Sequence, residues 1–311
     1  MQGNIETTGG TLYNEEYKKI IDTIKEVFSC KEEEIANIQA LQKGLTNIVL
    51  KFDYNGGTYV YRHPGLGSDI LVDRGRESIV QKQIEEADVD KTLVVMNVEE
   101  GWRISKFIEN RPFDYHNLND VVRAILLLRN LHSIVPKVQW NFDIMKMSKR
   151  LEGLIPAEYY GNKIEDFVEF DEIKKRIEQL YLLSKTDGIK KCLTHGDCRD
   201  ENFLVNDDEI YLIDWEYAGF GDPGFDIGTY ICGGTHSQDD IDKILFIYFG
   251  RKPSNKEKRH YYAYIALSGY FYMHWTMYKE SCGQKIEYLK SNWYEYAKVY
   301  SKLALELYKE N

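Results

Sequence analysis

Apolar positions change their period along this chain, and the changes divide it. Tyr17, Ile20, Ile21, Ile24 and Phe28 recur at helical spacing behind Asn14, a capping residue, with Glu15 and Glu16 in the first turn where the helix dipole favours acids. Strand patterns follow at residues 38–41, 47–54 and 58–63, the last two joined by Asn55, Gly56 and Gly57 as a hairpin turn. Residues 92–98 and 102–107 repeat the hairpin pattern around Glu99, Glu100 and Gly101. A small five-stranded unit is therefore expected to end near residue 110, with no low-complexity linker or repeat at the join. From Asn119 the period becomes helical again: Val121, Ile125, Leu128 and His132 share one face, and Phe170, Ile173, Ile177, Leu180 and Tyr181 share another before Asp187 and Gly188 break the run. Beyond residue 240 the chain is aromatic and helical. Tyr264, Phe271, Trp275 and Tyr278 fall on one face, Tyr272 lies three before Trp275, and Trp293, Tyr294, Tyr296 and Tyr300 follow in a last helix. The expected class is α+β, with domains at residues 1–110 and 111–311.

Residues 193–228, LTHGDCRDENFLVNDDEIYLIDWEYAGFGDPGFDIG, fit neither period throughout. Asp197 and Asn202 lie five apart in a polar run that reads as one tight loop. Two short apolar runs, 203–205 and 210–213, are separated by Asn206, Asp207 and Asp208 as a hairpin, and Asp214 ends the second. Such a hairpin returns Asn202 beside Asp214. One amide oxygen and one carboxylate are hard ligands of the kind Mg2+ accepts, with its other positions left to water and phosphates.

His195, Asp197, Asn202 and Asp214 match, in order and spacing, the catalytic-loop and metal-loop pattern of protein-kinase-like phosphotransferases. The wording HGDxxxxN, IDWEYAG and DPGFDIG resembles more particularly the choline/ethanolamine kinase family and its bacterial LicA-type branch, and aminoglycoside phosphotransferases share the frame. The resemblance implies a two-lobe kinase-like fold, a small antiparallel-sheet N-lobe for nucleotide and a larger helical C-lobe for catalysis and substrate. It implies transfer of phosphate from ATP, with Mg2+, to a small cationic alcohol, choline first and ethanolamine second. Asp197 would orient or accept the hydroxyl proton, His195 would brace the catalytic loop, Asn202 and Asp214 would hold the metal, and Asp226 would tie the loops to the helical lobe.

On the nucleotide side, Gly44 and Thr46 lie in a loop resembling the family's GGLTN loop, where backbone N–H groups approach phosphate; alone it reads as a plain turn. Arg62 stands where kinases place a phosphate-binding base, and Glu77 would hold it; the other reading of Glu77 is a solvated charge on a polar helix. The backbone of Phe107, Ile108 and Glu109 would meet adenine. On the acceptor side, a quaternary ammonium has no hydrogen-bond donors and is held by aromatic faces and a nearby acid. Tyr272 and Trp275 stand at the family's paired aromatic positions, normally two tryptophans, and Trp293 is a third wall. The acid that relatives carry after FDIG has no counterpart in the neutral run 231–234, so Glu216 or Asp222 is expected in its place. Core packing is the other reading of these rings. His132 reads as a hydrogen-bonded structural residue.

Composition narrows the field. The chain has 311 residues, 43% of them hydrophobic, enough for real cores. Its net charge of -10 disfavours nucleic acid or anionic membrane as a partner. Five scattered cysteines without a CxxC suggest reduced thiols, and Cys192, His195 and Cys198 lack a fourth zinc ligand at a usual spacing. The polar opening lacks a secretory signal's apolar core, no run spans a membrane, and the cytoplasm is the expected location. No GxxxxGK[ST] occurs, and no Asp-Phe-Gly or Ala-Pro-Glu segment marks a protein kinase. Other small-molecule kinases of the same frame, for aminoglycosides, thiamine or methylthioribose, remain alternatives, as does a kinase-like binding protein without catalysis. Oligomeric state is not legible.

Overall fold

The structure is a computed structural model that describes residues 5–7, 10–12, 14–41, 48–63, 72–138, 140–165, 167–207, 209–284 and 286–310. The chain forms two compact units, residues 1–110 and 111–311.

In the first unit a short antiparallel pair, β1 (Ile5–Thr7) and β2 (Gly10–Leu12), precedes α1 (Asn14–Phe28). The strands β3 (Ile35–Ala40), β4 (Ile48–Tyr54) and β5 (Gly57–His63) then lead through α2 (Arg74–Glu86) to β6 (Leu93–Met96) and β7 (Arg103–Lys106). They build one antiparallel five-stranded sheet in the order β3-β4-β5-β7-β6. Alternation decides its faces: Leu50 and Phe52 on β4, Tyr61 on β5 and Ile104 on β7 turn inward and pack against Ile20, Ile21 and Ile24 of α1. The helical spacing and the hairpin turns thus fold as the sequence leads one to expect. In helix α2, Asp73 caps the helix by accepting from Arg76 N at 3.1 Å, and Glu77 in its first turn is buried, which sets aside the alternative reading of it as a solvated charge.

The second unit is mostly helical: α3 (Leu118–Leu131), α4 (Ile144–Leu154), α5 (Ala157–Ile164) and α6 (Phe170–Ser184) come first. Four short strands follow, β8 (Cys192–Thr194), β9 (Phe203–Val205), β10 (Ile210–Leu212) and β11 (Gly219–Gly221), then α7 (Pro223–Gly233), α8 (Gln238–Phe249), α9 (Asn255–Ser281) and α10 (Glu287–Lys309). The strands pair as two separate ribbons, β9 with β10 and β8 with β11. Helix α9 is the post around which the unit packs, touching α4, α6, α7 and α10, and its residues are buried without interruption from His260 to Lys279. A helix covered on all sides needs no polar face, and this one has none.

Two glycines set how closely α7 approaches α9. A methyl group on Gly224 would lie 2.7 Å from the Tyr264 ring, and one on Gly228 would lie 2.4 Å from Ser268 Oγ and 2.6 Å from the Tyr264 carbonyl oxygen. Backbone cannot give way as a flexible side chain can, so this crossing requires glycine. None of the described helices is long and apolar enough to cross a membrane.

A buried charge cluster ties the ends of this unit together. His260 on α9 contacts Asp187 Oδ2 through Nδ1 at 3.2 Å and Asp222 Oδ1 through Nε2 at 2.9 Å. Arg259 Nε donates to Asp187 Oδ1 at 2.9 Å, and the Tyr308 hydroxyl of α10 donates to Asp187 as well. Burial opposes the charged imidazole, but the two carboxylates outweigh it and hold its pKa up to about 9, against an ordinary 6.5. A pKa raised by folding contributes stability that is fully present below pH 6.5 and is lost as pH rises through 9. The gap corresponds to roughly 3 kcal/mol at most, at about 1.36 kcal/mol per unit. The urea midpoint is therefore expected to fall between pH 6.5 and 9.5 in the native chain and to be nearly flat over that range in His260→Gln. Parallel curves for the two proteins would show that His260 is not the titrating group.

Candidate active site

Strand β8 is held against β11 in the register Thr194 to Gly219, and Thr194 Oγ1 donates to the Gly219 carbonyl at 3.0 Å. The chain leaves β8 as His195-Gly196-Asp197 and turns at once. Gly196 takes φ +87°, and a methyl group there would meet the Tyr217 carbonyl oxygen at 2.8 Å, so the turn requires glycine. Asp226, in the first turn of α7, fastens this turn by accepting from His195 N at 2.8 Å and Gly196 N at 2.7 Å. The same carboxylate meets His132 Nε2 at 3.0 Å, while His132 Nδ1 meets the Tyr248 hydroxyl at 2.7 Å. His132, with 5% of its side chain exposed, thus links the end of α3 to α7 and α8 by hydrogen bonds.

The hairpin of β9 and β10 pairs Phe203 with Leu212 and Val205 with Ile210. Ile213 N donates to the Asn202 carbonyl at 3.0 Å, which brings the residue before the hairpin alongside the one after it. Asp214 follows in the left-handed region at φ +72°, a strained backbone for a non-glycine residue and one that clusters at functional sites. His195 spans loop and hairpin. Its Nε2 donates to the Ile213 carbonyl at 2.9 Å and its Nδ1 accepts from Asp197 N at 3.1 Å, while its ring meets Trp215 edge-on at 4.6 Å. Both nitrogens are committed within the protein, the arrangement expected of a residue that braces the loop.

Asp197 lies at the centre, 7% exposed. Asn202 Nδ2 donates to its Oδ2 at 2.9 Å and to its carbonyl at 2.8 Å. The Tyr272 hydroxyl meets Oδ1 at 2.5 Å and the Gly196 carbonyl at 3.1 Å. Arg199 adds Nε to Oδ1 at 2.8 Å and Nη2 to Oδ2 at 3.3 Å. Burial pushes this carboxyl up, and the Arg199 guanidinium with the Tyr272 hydroxyl outweighs it, leaving it below the usual carboxylate range.

Tyr272, Trp275 and Trp293 form one cluster, with ring centroids 4.9 Å apart for Tyr272 and Trp293, 6.2 Å for Tyr272 and Trp275, and 6.3 Å for the two tryptophans. Their polar edges are engaged: Trp275 Nε1 donates to the Tyr217 hydroxyl at 3.1 Å and Trp293 Nε1 to the Cys232 carbonyl at 3.2 Å. The structure thus joins the three aromatic candidates to the candidate catalytic acid through the Tyr272 hydroxyl.

Other candidates fall elsewhere. Asp222 follows β11 at the end opposite Asp197's, caps α7 by accepting from Gly224 N at 2.9 Å, and binds His260. It lines a cavity of about 350 Å³ with Lys185, Lys191 and Tyr264, whose lining includes none of Asp197, Tyr272, Trp275 and Trp293. Glu216 is half-buried, two residues beyond Asp214. In the first unit Arg62 is buried on β5 directly opposite Arg103 of β7. Glu77, assigned to Arg62 from the sequence, takes Arg74 Nη1 at 2.7 Å and Arg103 Nη1 at 3.0 Å; the sequence reading missed both arginines. Phe107 N donates to the Thr58 carbonyl at 2.9 Å, Asn110 Nδ2 donates to the Ile108 carbonyl at 2.6 Å, and Lys51 stands 3.9 Å over the Phe107 ring and 3.6 Å from Glu109. Gly44 and Thr46 lie outside the described residues. Among the described residues no three His, Cys, Asp or Glu side chains are placed to hold a metal ion. All five cysteines are free thiols.

A sequence model of the choline/ethanolamine kinases matches residues 38–270. The chain belongs to the choline/ethanolamine kinase family. Its relatives within and beyond that family show the same frame. Protein LicA of Haemophilus influenzae is 27% identical over 217 residues, 66% of this chain and 60% of that protein's length. A probable ethanolamine kinase of Arabidopsis thaliana is 24% identical over 260 residues, 78% of this chain and 67% of its own. Among solved structures, choline kinase LicA from Streptococcus pneumoniae superimposes with a TM-score of 0.78 at 20% identity, covering 93% of this chain and 99% of that one. A spectinomycin phosphotransferase gives a TM-score of 0.55 at 14% identity, covering 93% and 98%. The α+β fold of this family member is thus the protein-kinase-like phosphotransferase fold.

In this choline/ethanolamine kinase family member, Asp226 is expected to hold the catalytic turn. Asp226→Asn replaces an acceptor with an amide that must turn a donor toward one of its N–H partners, a loss of about 1–3 kcal/mol. A lower urea midpoint and faster hydrogen exchange at the His195 and Gly196 amides are expected. Unchanged exchange at those two amides would remove the tie.

Proposed function

We propose that this chain transfers the γ-phosphoryl group of ATP to the hydroxyl of choline, giving phosphocholine and ADP, with ethanolamine as the second acceptor. The observation that carries this reading is the Tyr272 hydroxyl on Asp197, which places an aromatic cluster suited to a quaternary ammonium on the carboxylate suited to its alcohol. Family membership supports ATP as donor, and a LicA crystal structure with a TM-score of 0.76 to this chain holds AMP.

Asp197 orients the acceptor hydroxyl. Its low proton affinity is compatible with the role, because a loose phosphoryl-transfer transition state needs little deprotonation of the alcohol before attack. The alcohol oxygen forms a bond to the γ-phosphorus as the bond to the bridging oxygen breaks. The hydroxyl proton passes to Asp197 and from there to solvent, and ADP departs. Asn202 and Asp214 fit a magnesium ion: the Asn202 amide nitrogen is committed to Asp197, so its oxygen is the atom with lone pairs to give, and the hairpin bond sets Asp214 next in line. When bound, that ion neutralises phosphate charge. Trp275 and Trp293 enclose the acceptor's methyl groups, and Glu216 supplies further negative charge. The first unit is assigned to the nucleotide, with Arg62, Gly44 and Thr46 for phosphates, Arg103 and Glu77 fixing that arginine face, and the backbone of residues 107–109 for adenine. Dependence on ATP and five free thiols fit a cytoplasmic enzyme.

ADP release measured against choline, ethanolamine, thiamine, methylthioribose and kanamycin tests the reading. Choline is expected to give the highest kcat/KM, and a preference for kanamycin would mark an aminoglycoside kinase instead. Asp197→Asn is expected to lower kcat by about 10²–10⁴-fold while ATP still raises the melting temperature. ATP binding without turnover by the native chain, for every acceptor, would identify a binding protein and end the proposal.

A further inference from the structure

Arg199 is buried in the catalytic loop, yet neither the motif nor the transfer chemistry gives it a task. Its guanidinium lies on both oxygens of Asp197, and its Nη1 is 3.4 Å from Glu201 Oε2. Its Cζ stands 5.7 Å from the Tyr272 ring centroid and 5.8 Å from that of Trp275, within reach of cation–π attraction. A protein cation therefore already holds what an acceptor ammonium would seek, two aromatic faces and a carboxylate. Lys279 Nζ also stands 5.7 Å from the Trp275 ring centroid, and a further cation brought against the Arg199 guanidinium itself, at about 5 Å and an effective dielectric near 20, is repelled by roughly 3 kcal/mol.

We propose that Arg199 is the specificity-determining residue of the acceptor site, a resident cation that the acceptor's ammonium displaces from Tyr272, Trp275 and Asp197. The inference rests on the acceptor being a cationic alcohol. Displacement has a receiver on the same loop, since Glu201 already stands beside Nη1. It also imposes a charge requirement. A neutral alcohol that drove Arg199 off would leave a buried carboxylate uncompensated, which costs several kcal/mol, whereas an ammonium replaces the charge it removes. Arg199 thus rejects uncharged alcohols of similar size and weakens cationic ones by the free energy of its own removal.

Arg199→Met keeps an unbranched, apolar stem and removes the guanidinium and its charge. Without ligand the variant is expected to melt below the native protein. Tetramethylammonium, a cation without a hydroxyl, should raise its melting temperature more than the native protein's, against sodium chloride at equal ionic strength. Choline KM should fall at least tenfold with a smaller change in kcat, and Arg199→Lys should keep KM at or above the native value. An unchanged or higher choline KM in Arg199→Met overturns the proposal. So does a loss of kcat at constant KM, or a tetramethylammonium shift equal in both proteins, because a purely structural arginine would lower the melting temperature without creating a cation-specific rescue. Should Arg199→Met not fold, a crystal structure of the native protein soaked with choline decides: a guanidinium moved off the two rings supports the proposal, and one still on Asp197 beside bound choline overturns it. Absence of turnover with choline and ethanolamine would fell the kinase assignment, while the tetramethylammonium comparison would still report on Arg199.

Discussion

Asp226 is a carboxylate with no exposed surface, and the second unit is arranged to make that tolerable. Burial pushes its carboxyl up; His132, His195 and the two backbone N–H groups outweigh it and hold it below the usual range. The charge is therefore retained inside the protein, and every donor that satisfies it becomes a positional constraint. Two of those donors are consecutive amides immediately before Asp197. The third is a ring on α3 that reaches α8 through Tyr248. Removing the charge would relax three elements and the catalytic turn together.

From that anchor the constraint passes outward by contact. The turn fixed by Asp226 leaves His195 to reach Ile213, and Ile213 in turn is bonded to Asn202. Asn202 returns to Asp197, closing a ring of hydrogen bonds around two backbone segments. Asp197 then holds Tyr272, whose ring carries Trp293 and Trp275. Polar satisfaction and aromatic packing are consequently one network here. Trp275 and Trp293 use their N–H edges for structure and meet each other edge to face, and the Trp275 ring also lies within cation–π reach of Arg199 and Lys279.

The parts of this arrangement that the sequence disclosed are those whose chemistry is local. The five-stranded sheet follows from alternation and glycine turns, and the ribbon of β9 and β10 follows from two apolar runs around three turn residues. What it concealed depends on partners far along the chain. Asp222 looks like an available acid in DPGFDIG, but its partner His260 lies thirty-eight residues on, and only folding brings them together. Glu77 looks solvated because α2 is polar, yet Arg103 arrives from β7, twenty-six residues later. Arg199 is legible as a residue but not as a cation over aromatic rings, because those rings lie more than seventy residues further along the chain. Asp187 before Gly188 reads as the end of a helix, and its role in binding Arg259, His260 and Tyr308 has no local signature.

Helix α9 sets where the aromatic cluster stands relative to the Asp197 turn. Tyr264, Ser268 and Tyr272 are spaced four apart and so line one stripe of the helix. Tyr264 and Ser268 press against Gly224 and Gly228 of α7, at distances that leave no room for a side chain, and Tyr272 then falls on Asp197. The glycines of the DPGFDIG segment and the Asp226 between them therefore act on the same object from two directions. The aspartate sets the turn that carries the acid, and the glycines set the height of the helix that carries the rings. A slip of α9 by one turn would displace Tyr272 by about 5.4 Å, far beyond hydrogen-bond reach, and would force Tyr264 into the glycine contact from a new angle. The distance from the Asp197 carboxylate to the aromatic cluster is thus a property of the α7–α9 crossing as much as of the residues that make the contact.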